Sequence, residues 1–223
     1  MGFALAKIQP PLPRRGQWLA RPALEARLRE AVASHRAVVV AAAAGYGKSA
    51  ALVRALVPPP AGQALAWVSL DPGDDLHRLL ECLLAALDPF DLPWRVAPEG
   101  LLGAALAGDA RSRQRAVDEL VNALAAGDFV HGTIVLVGLH HLVDDAALHL
   151  LERLIDRLPA RWSLVLASRE WPAGLVARVA AAGELASLRE TDLAFDADEV
   201  QAWCASAGLD AESARLLHRR TAG

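Results

Sequence analysis

Several absences narrow the possibilities. The chain has 2 cysteines, Cys82 and Cys204, each inside a helix-like apolar pattern. Buried free thiols are therefore expected, and a disulfide framework is not. No apolar run reaches the roughly 18 residues of a membrane span, and no Lys/Arg-led leader precedes a cleavage site. A cytoplasmic protein with no membrane partner is expected. Arginine outnumbers lysine heavily but lies scattered among acids, and the net charge is −3. Only Pro13-Arg14-Arg15 and His218-Arg219-Arg220 are locally basic. Without a basic stripe or a helix-turn-helix pattern, no DNA binding by this segment is expected. No internal repeat is visible.

The chain has 223 residues, 54% of them hydrophobic, enough for one α/β domain or one with a small appendage. The strongest signal is Ala42-Ala43-Ala44-Gly45-Tyr46-Gly47-Lys48-Ser49, which follows the apolar run Ala37–Ala41 and opens the helical pattern from Ala50 to Leu56. A buried strand, a small-residue loop ending in Gly-Lys-Ser and a helix make a phosphate-binding P-loop. Small residues let successive N–H groups point at phosphate oxygens, and the helix N-terminus adds its positive dipole end. Lys48 is expected to reach the β- and γ-phosphates, and the Ser49 hydroxyl to ligate Mg²⁺. The strict pattern has Gly where Ala42 stands.

Around this motif the patterns alternate. Residues 1–17, with prolines at 10, 11 and 13, read as an extended arm, and Trp18 to Ser34 as a helix. Further strands are expected at Leu65–Leu70, Thr133–Val137, Trp162–Ala167 and Leu185–Leu188. Helices are expected from Asp74 or Asp75 to about Leu87, Arg111 to Ala126, Asp144 or Asp145 to about Leu158, and Leu175 to Ala181. Residues 88 to 100, with three prolines, read as a loop. Two helices, about Asp196–Ala207 and Asp210–Arg220, close the chain. The expected fold is α/β: a three-layer P-loop NTPase with a mainly parallel five-stranded sheet. The nucleotide-binding domain would span 18–191, and 192–223 would begin a small helical lid.

With these stretches in order, the chain resembles the nucleotide-binding module of MalT-type, LuxR-family regulators, which are STAND-class signalling NTPases. The resemblance rests on Ala44-Gly45-Tyr46-Gly47-Lys48-Ser49, Trp67-Val68-Ser69-Leu70-Asp71 with Asp74, and His141-Leu142. Leu166-Ala167-Ser168-Arg169 and Leu193-Ala194-Phe195 with Glu199 complete it. It implies that Ala44, Gly45, Tyr46, Gly47, Lys48, Ser49 and Ala50 bind ATP or ADP, with Arg169 as a sensor arginine beside the phosphates. It also implies a fragment of a larger transcription regulator that self-associates when complete.

One element departs from that family. Its pattern places two Asp at the tip of the third strand, one to hold Mg²⁺ and one to polarise water. Here Gly138 and Leu139 align with them, followed by His140-His141, and no acid lies nearer than Asp144. Imidazole is a poor ligand for a hard cation. Asp144 and Asp145 read as helix caps and Asp71 as a turn residue with Pro72-Gly73. Mg²⁺ binding should be weak and hydrolysis weak or absent, with ground-state binding carried by the loop amides, Lys48 and Ser49. Asp at positions 138 and 139 is expected to restore Mg²⁺ dependence. The alternatives are a non-hydrolysing structural or interaction scaffold and, fitting less well, a P-loop small-molecule kinase.

Overall fold

The computed structural model describes residues 2–12, 18–107 and 109–221. The Pro13-Arg14-Arg15 run, the end of the expected arm and the last two residues lie outside them. Five strands form one sheet: β1 (Ala37–Ala41), β2 (Gln63–Ser69), β3 (His131–Val137), β4 (Trp162–Ser168) and β5 (Leu185–Leu188). All pairings are parallel, in the order β2-β3-β4-β1-β5. The expected strand positions hold, with β2 and β3 each beginning two residues earlier. Parallel strands covered on both faces read as continuous apolar runs, which is why these segments were legible.

Alternation along β1 divides the core into two layers. Val38 and Val40 face α1 (Pro22–Ser34) and α2 (Lys48–Leu56), packing with Leu28 and Leu52. Ala37, Val39 and Ala41 face the other layer. That layer holds α3 (Leu76–Leu87), α4 (Pro98–Leu106), α5 (Ala110–Ala126), α6 (Asp145–Arg157) and α7 (Ala173–Ala181). Asp75 caps α3 and Asp144 caps α6, each accepting from a first-turn N–H. Both cysteines are buried free thiols, and burial pushes Cys82 up to about 11. Among the described residues no helix is long and apolar enough to cross a membrane.

Four local expectations change. Residues 88 to 100 are not all loop: α4 begins at Pro98, whose fixed φ suits the first helical turn. The helix expected from Trp18 starts instead at Pro22, for the same reason, which frees Trp18 and Arg21 for other contacts. The described part of the arm is not simply extended, because Leu5–Ile8 forms a 3₁₀ turn. Lys7 there pairs with Asp71 at 2.7 Å and Asp74 at 2.6 Å, while Phe3 and Ile8 pack on the core. Finally, a one-turn helix α8 (Glu190–Leu193) follows β5 directly.

The chain then runs into a hairpin of α9 (Ala197–Ser206) and α10 (Ala211–Thr221). It has its own small core of Val200, Cys204 and Ala214 with Phe195. Arg21 anchors it. Its guanidinium donates to the Leu193 carbonyl at 2.6 Å and the Ala194 carbonyl at 2.8 Å, and lies 4.6 Å from the Phe195 ring centroid.

Candidate functional site

The loop between β1 and α2 sits at the carboxyl ends of the strands, where open α/β sheets present ligand crevices. Gly45 and Gly47 adopt φ of +92° and +72°, the left-handed region that other residues enter at a cost. A Cβ at either would meet nothing within 4 Å, so backbone conformation rather than crowding demands glycine there. Ala44, Gly45, Tyr46 and Gly47 are exposed. Lys48, Ser49 and Ala50 are half-buried and form the first turn of α2, whose N–H groups have no intrahelical partner.

Lys48 curls back over the loop, its Nζ donating to the Ala42 carbonyl at 2.7 Å and the Ala43 carbonyl at 2.8 Å. Burial, then the Arg169 charge, hold its pKa below the ordinary lysine value, with Glu190 opposing. Arg169 follows β4 and is exposed; it makes no ion pair among the described residues. The topology brings it to Lys48 because β4 lies beside β1, in register Ala41↔Ser168.

Glu190 reaches the same loop. Its Oε1 accepts from the Ala43 N–H at 2.9 Å, tying α8 to the P-loop. Nothing local in the sequence announces this, since 147 positions separate the two residues. The pairing of β5 with β1 closes that distance. Arg169, Arg189 and Glu190 share a cleft of about 350 Å³ on this side of the loop.

A larger cavity of about 530 Å³ adjoins the loop's other flank. Trp18, Tyr46, Phe195 and Trp203 line it, with Glu25 and Arg54 as a charged pair at 2.6 Å. Its walls come from the segment before α1, the P-loop and the α9–α10 hairpin. A mainly apolar pocket with several aromatic walls, touching a phosphate-type loop, is the shape of a small-molecule site.

The acids expected to be absent from the β3 tip are absent, and the local geometry sharpens that reading. β3 ends at Val137, and Gly138 turns left-handed at φ +82°. A Cβ at Gly138 would lie 2.5 Å from the Leu70 carbonyl oxygen. Leu139 is 3% exposed and packs into the core. Restoring Mg²⁺ dependence with Asp at 138 and 139 is therefore disfavoured: a side chain at 138 meets the Leu70 backbone, and Leu139 packs inward. Nearby carboxylates have other partners. Asp71 and Asp74 hold Lys7, and Asp144 accepts from the Leu76 N–H at 2.7 Å and the Ala146 N–H at 3.1 Å. Among the described residues no group of three His, Cys, Asp or Glu could hold a metal ion. Ser49 offers one hydroxyl oxygen to Mg²⁺ at the start of α2, without an acid at the β3 tip to complete the site.

His140 takes the rim position instead. Its ring lies against that of His141, with centroids 4.0 Å apart. Neither of its nitrogens reaches solvent or a hydrogen-bond partner. In the sequence this residue stands out only as a poor ligand for a hard cation.

No family model and no curated protein matches the sequence. Solved structures do match in fold. A Signal Transduction ATPase with Numerous Domains (STAND) protein with a tetratricopeptide repeat sensor, from Pyrococcus horikoshii, aligns at TM-score 0.64 and 14% identity over 95% of this chain. A Walker-type ATPase of Pyrococcus abyssi aligns at 0.54 and 14% over 92%, and Cdc6p from Pyrobaculum aerophilum at 0.52 and 13% over 86%. This chain spans 29%, 64% and 51% of those chains respectively. At such identities the likeness establishes the fold alone, which is that of the P-loop NTPases, STAND proteins among them.

Proposed function

We propose that this chain is a nucleotide-binding switch module that holds ATP or ADP and hydrolyses it slowly or not at all. The observation that carries the reading is the glycine-built loop opening α2 at Lys48, directly beside the aromatic cavity. Phosphates lie on the amides of Ala44–Ala50 and on Lys48, with Arg169 at the strand ends. The base enters among Trp18, Phe195 and Trp203. Such a ligand touches both the sheet domain, 18–191, and the hairpin region, 192–223, so its occupancy bears on how the second sits against the first.

The motif order shared with MalT-type LuxR regulators supports a place in a transcription regulator that self-associates in its full length. The fold likeness to a STAND protein fits the same reading. The loss of both acids at the β3 tip, with Asp71, Asp74 and Asp144 committed to other partners, supports weak turnover. It also keeps a structural scaffold as the second reading. Mass spectrometry of nucleotide released from purified protein separates the two. Bound ATP or ADP is expected; no released nucleotide, together with no calorimetric heat on adding either one, overturns the proposal.

A further inference from the structure

We propose that His140 is the residue that distinguishes a nucleoside triphosphate from a diphosphate, by donating a ring N–H to the terminal phosphate. This rests on the nucleotide-binding reading and goes beyond it by naming what reads the third phosphate.

The argument begins with placement. Gly138 N–H donates to the Ala167 carbonyl at 3.0 Å, and Ala42 N–H to the Ser168 carbonyl at 3.2 Å. The ends of β3, β4 and β1 therefore stand side by side on one rim. Two strand spacings separate β3 from β1, roughly 10 Å. A phosphate held in front of Lys48 and extending toward β3 crosses the end of β4, where Arg169 stands, and arrives at His140.

The second observation is the state of the ring. A buried polar group without a partner costs free energy, so its persistence calls for an explanation. Both His140 nitrogens are in that condition, two residues past a glycine whose conformation turns the chain toward the rim. The surroundings favour an anion: Lys48 on α2 and Arg169 after β4 carry positive charge toward the ring, and Glu170 opposes them. Burial, followed by those charges, keeps the imidazole pKa below its ordinary value. The residue is only half-buried, so a rotation of its side chain brings a nitrogen to the rim, and the neutral ring still carries one N–H to donate to a phosphate oxygen. A diphosphate ends short of this position and leaves the ring as it is.

The test is His140→Phe, which keeps an aromatic ring against His141, though a larger one, and removes both nitrogens. Triphosphate affinity by calorimetry should fall on the order of tenfold while diphosphate affinity stays within about twofold. Equal effects on both nucleotides overturn the proposal by showing a structural role. If His140→Phe does not fold, ring-nitrogen NMR of the unaltered protein decides: His140 signals should move with ATP and not with ADP, and failure to do so overturns it. An unaltered protein that binds both nucleotides while His140→Phe keeps their ratio sinks this inference alone. Binding of neither nucleotide sinks the reading beneath it.

Discussion

The Arg21 Nε lies 2.9 Å from Oε1 of Glu199, joining the residue just before α1 to the first turn of α9, 178 positions away. With the carbonyls of Leu193 and Ala194 and the Phe195 ring, this guanidinium is the pin between the sheet domain and the hairpin. Both charged side chains are mostly buried, at 12% and 20% exposure, so the pair is shielded from the solvent screening that weakens surface ion pairs.

Arg21→Ala should therefore loosen the hairpin more than the sheet. A cost of about 2–3 kcal/mol is expected from two carbonyl bonds and a shielded ion pair. Hydrogen exchange should quicken in α9 and α10 while the β1 and β3 amides keep their protection. Uniform acceleration throughout the chain would show that the hairpin and sheet open as one unit.

Lys48→Ala separates binding from stability. Without nucleotide its Nζ bonds only loop carbonyls, so the melting midpoint should change by the equivalent of about 1 kcal/mol or less. Calorimetric affinity for ATP and ADP should drop roughly ten- to a hundredfold, because a charge-assisted phosphate contact is lost. Unchanged affinity would move the phosphates away from this loop.

Turnover and its rescue can be examined together. Phosphate release by the unaltered protein should be negligible, with Lys48→Ala as the contamination control. Gly138→Asp should destabilise by about 2 kcal/mol or more, through a left-handed φ and a collision with the Leu70 oxygen. Leu139→Asp should cost about 3 kcal/mol or more by burying a carboxylate in the core. Thermal melts check both. A well-folded double variant with measurable turnover would mean that the β3 tip rearranges.

Acid should act on the cavity wall through Glu25. Burial alone would raise its pKa, but the Arg21 N–H and then Arg54 more than offset this, leaving it below its ordinary value of 4.5. A carboxylate with a depressed folded pKa contributes stability above its unfolded value and loses it as pH falls through the folded one. The stability difference between the unaltered protein and Glu25→Gln should thus be full at neutral pH and shrink below about pH 4.5. Urea midpoints at neutral and acid pH measure it; a difference that does not shrink would point to packing rather than charge.

What the sequence determined by itself is local. Hydrophobic runs marked the central strands β1, β3 and β4, which are buried on both faces, while the edge strands β2 and β5 were marked by apolar stretches between turns. The small-residue loop before Lys48 announced a phosphate-binding turn and a helix start, because small residues let successive N–H groups converge. The missing acids at the β3 tip were legible only against the pattern of the MalT-type family that the chain resembles. Tertiary structure decided what depends on pairing distant segments. Parallel order β2-β3-β4-β1-β5 sets Arg169 and His140 on the rim shared with Lys48, and brings Glu190 to the Ala43 amide. It commits Asp71 and Asp74 to Lys7, whose partners cannot be read from an arm that looks extended. It also makes Trp18 and Trp203 neighbours of one cavity. Such contacts depend on which strands lie side by side, and that is fixed by how the whole apolar surface is buried rather than by any single stretch of chain.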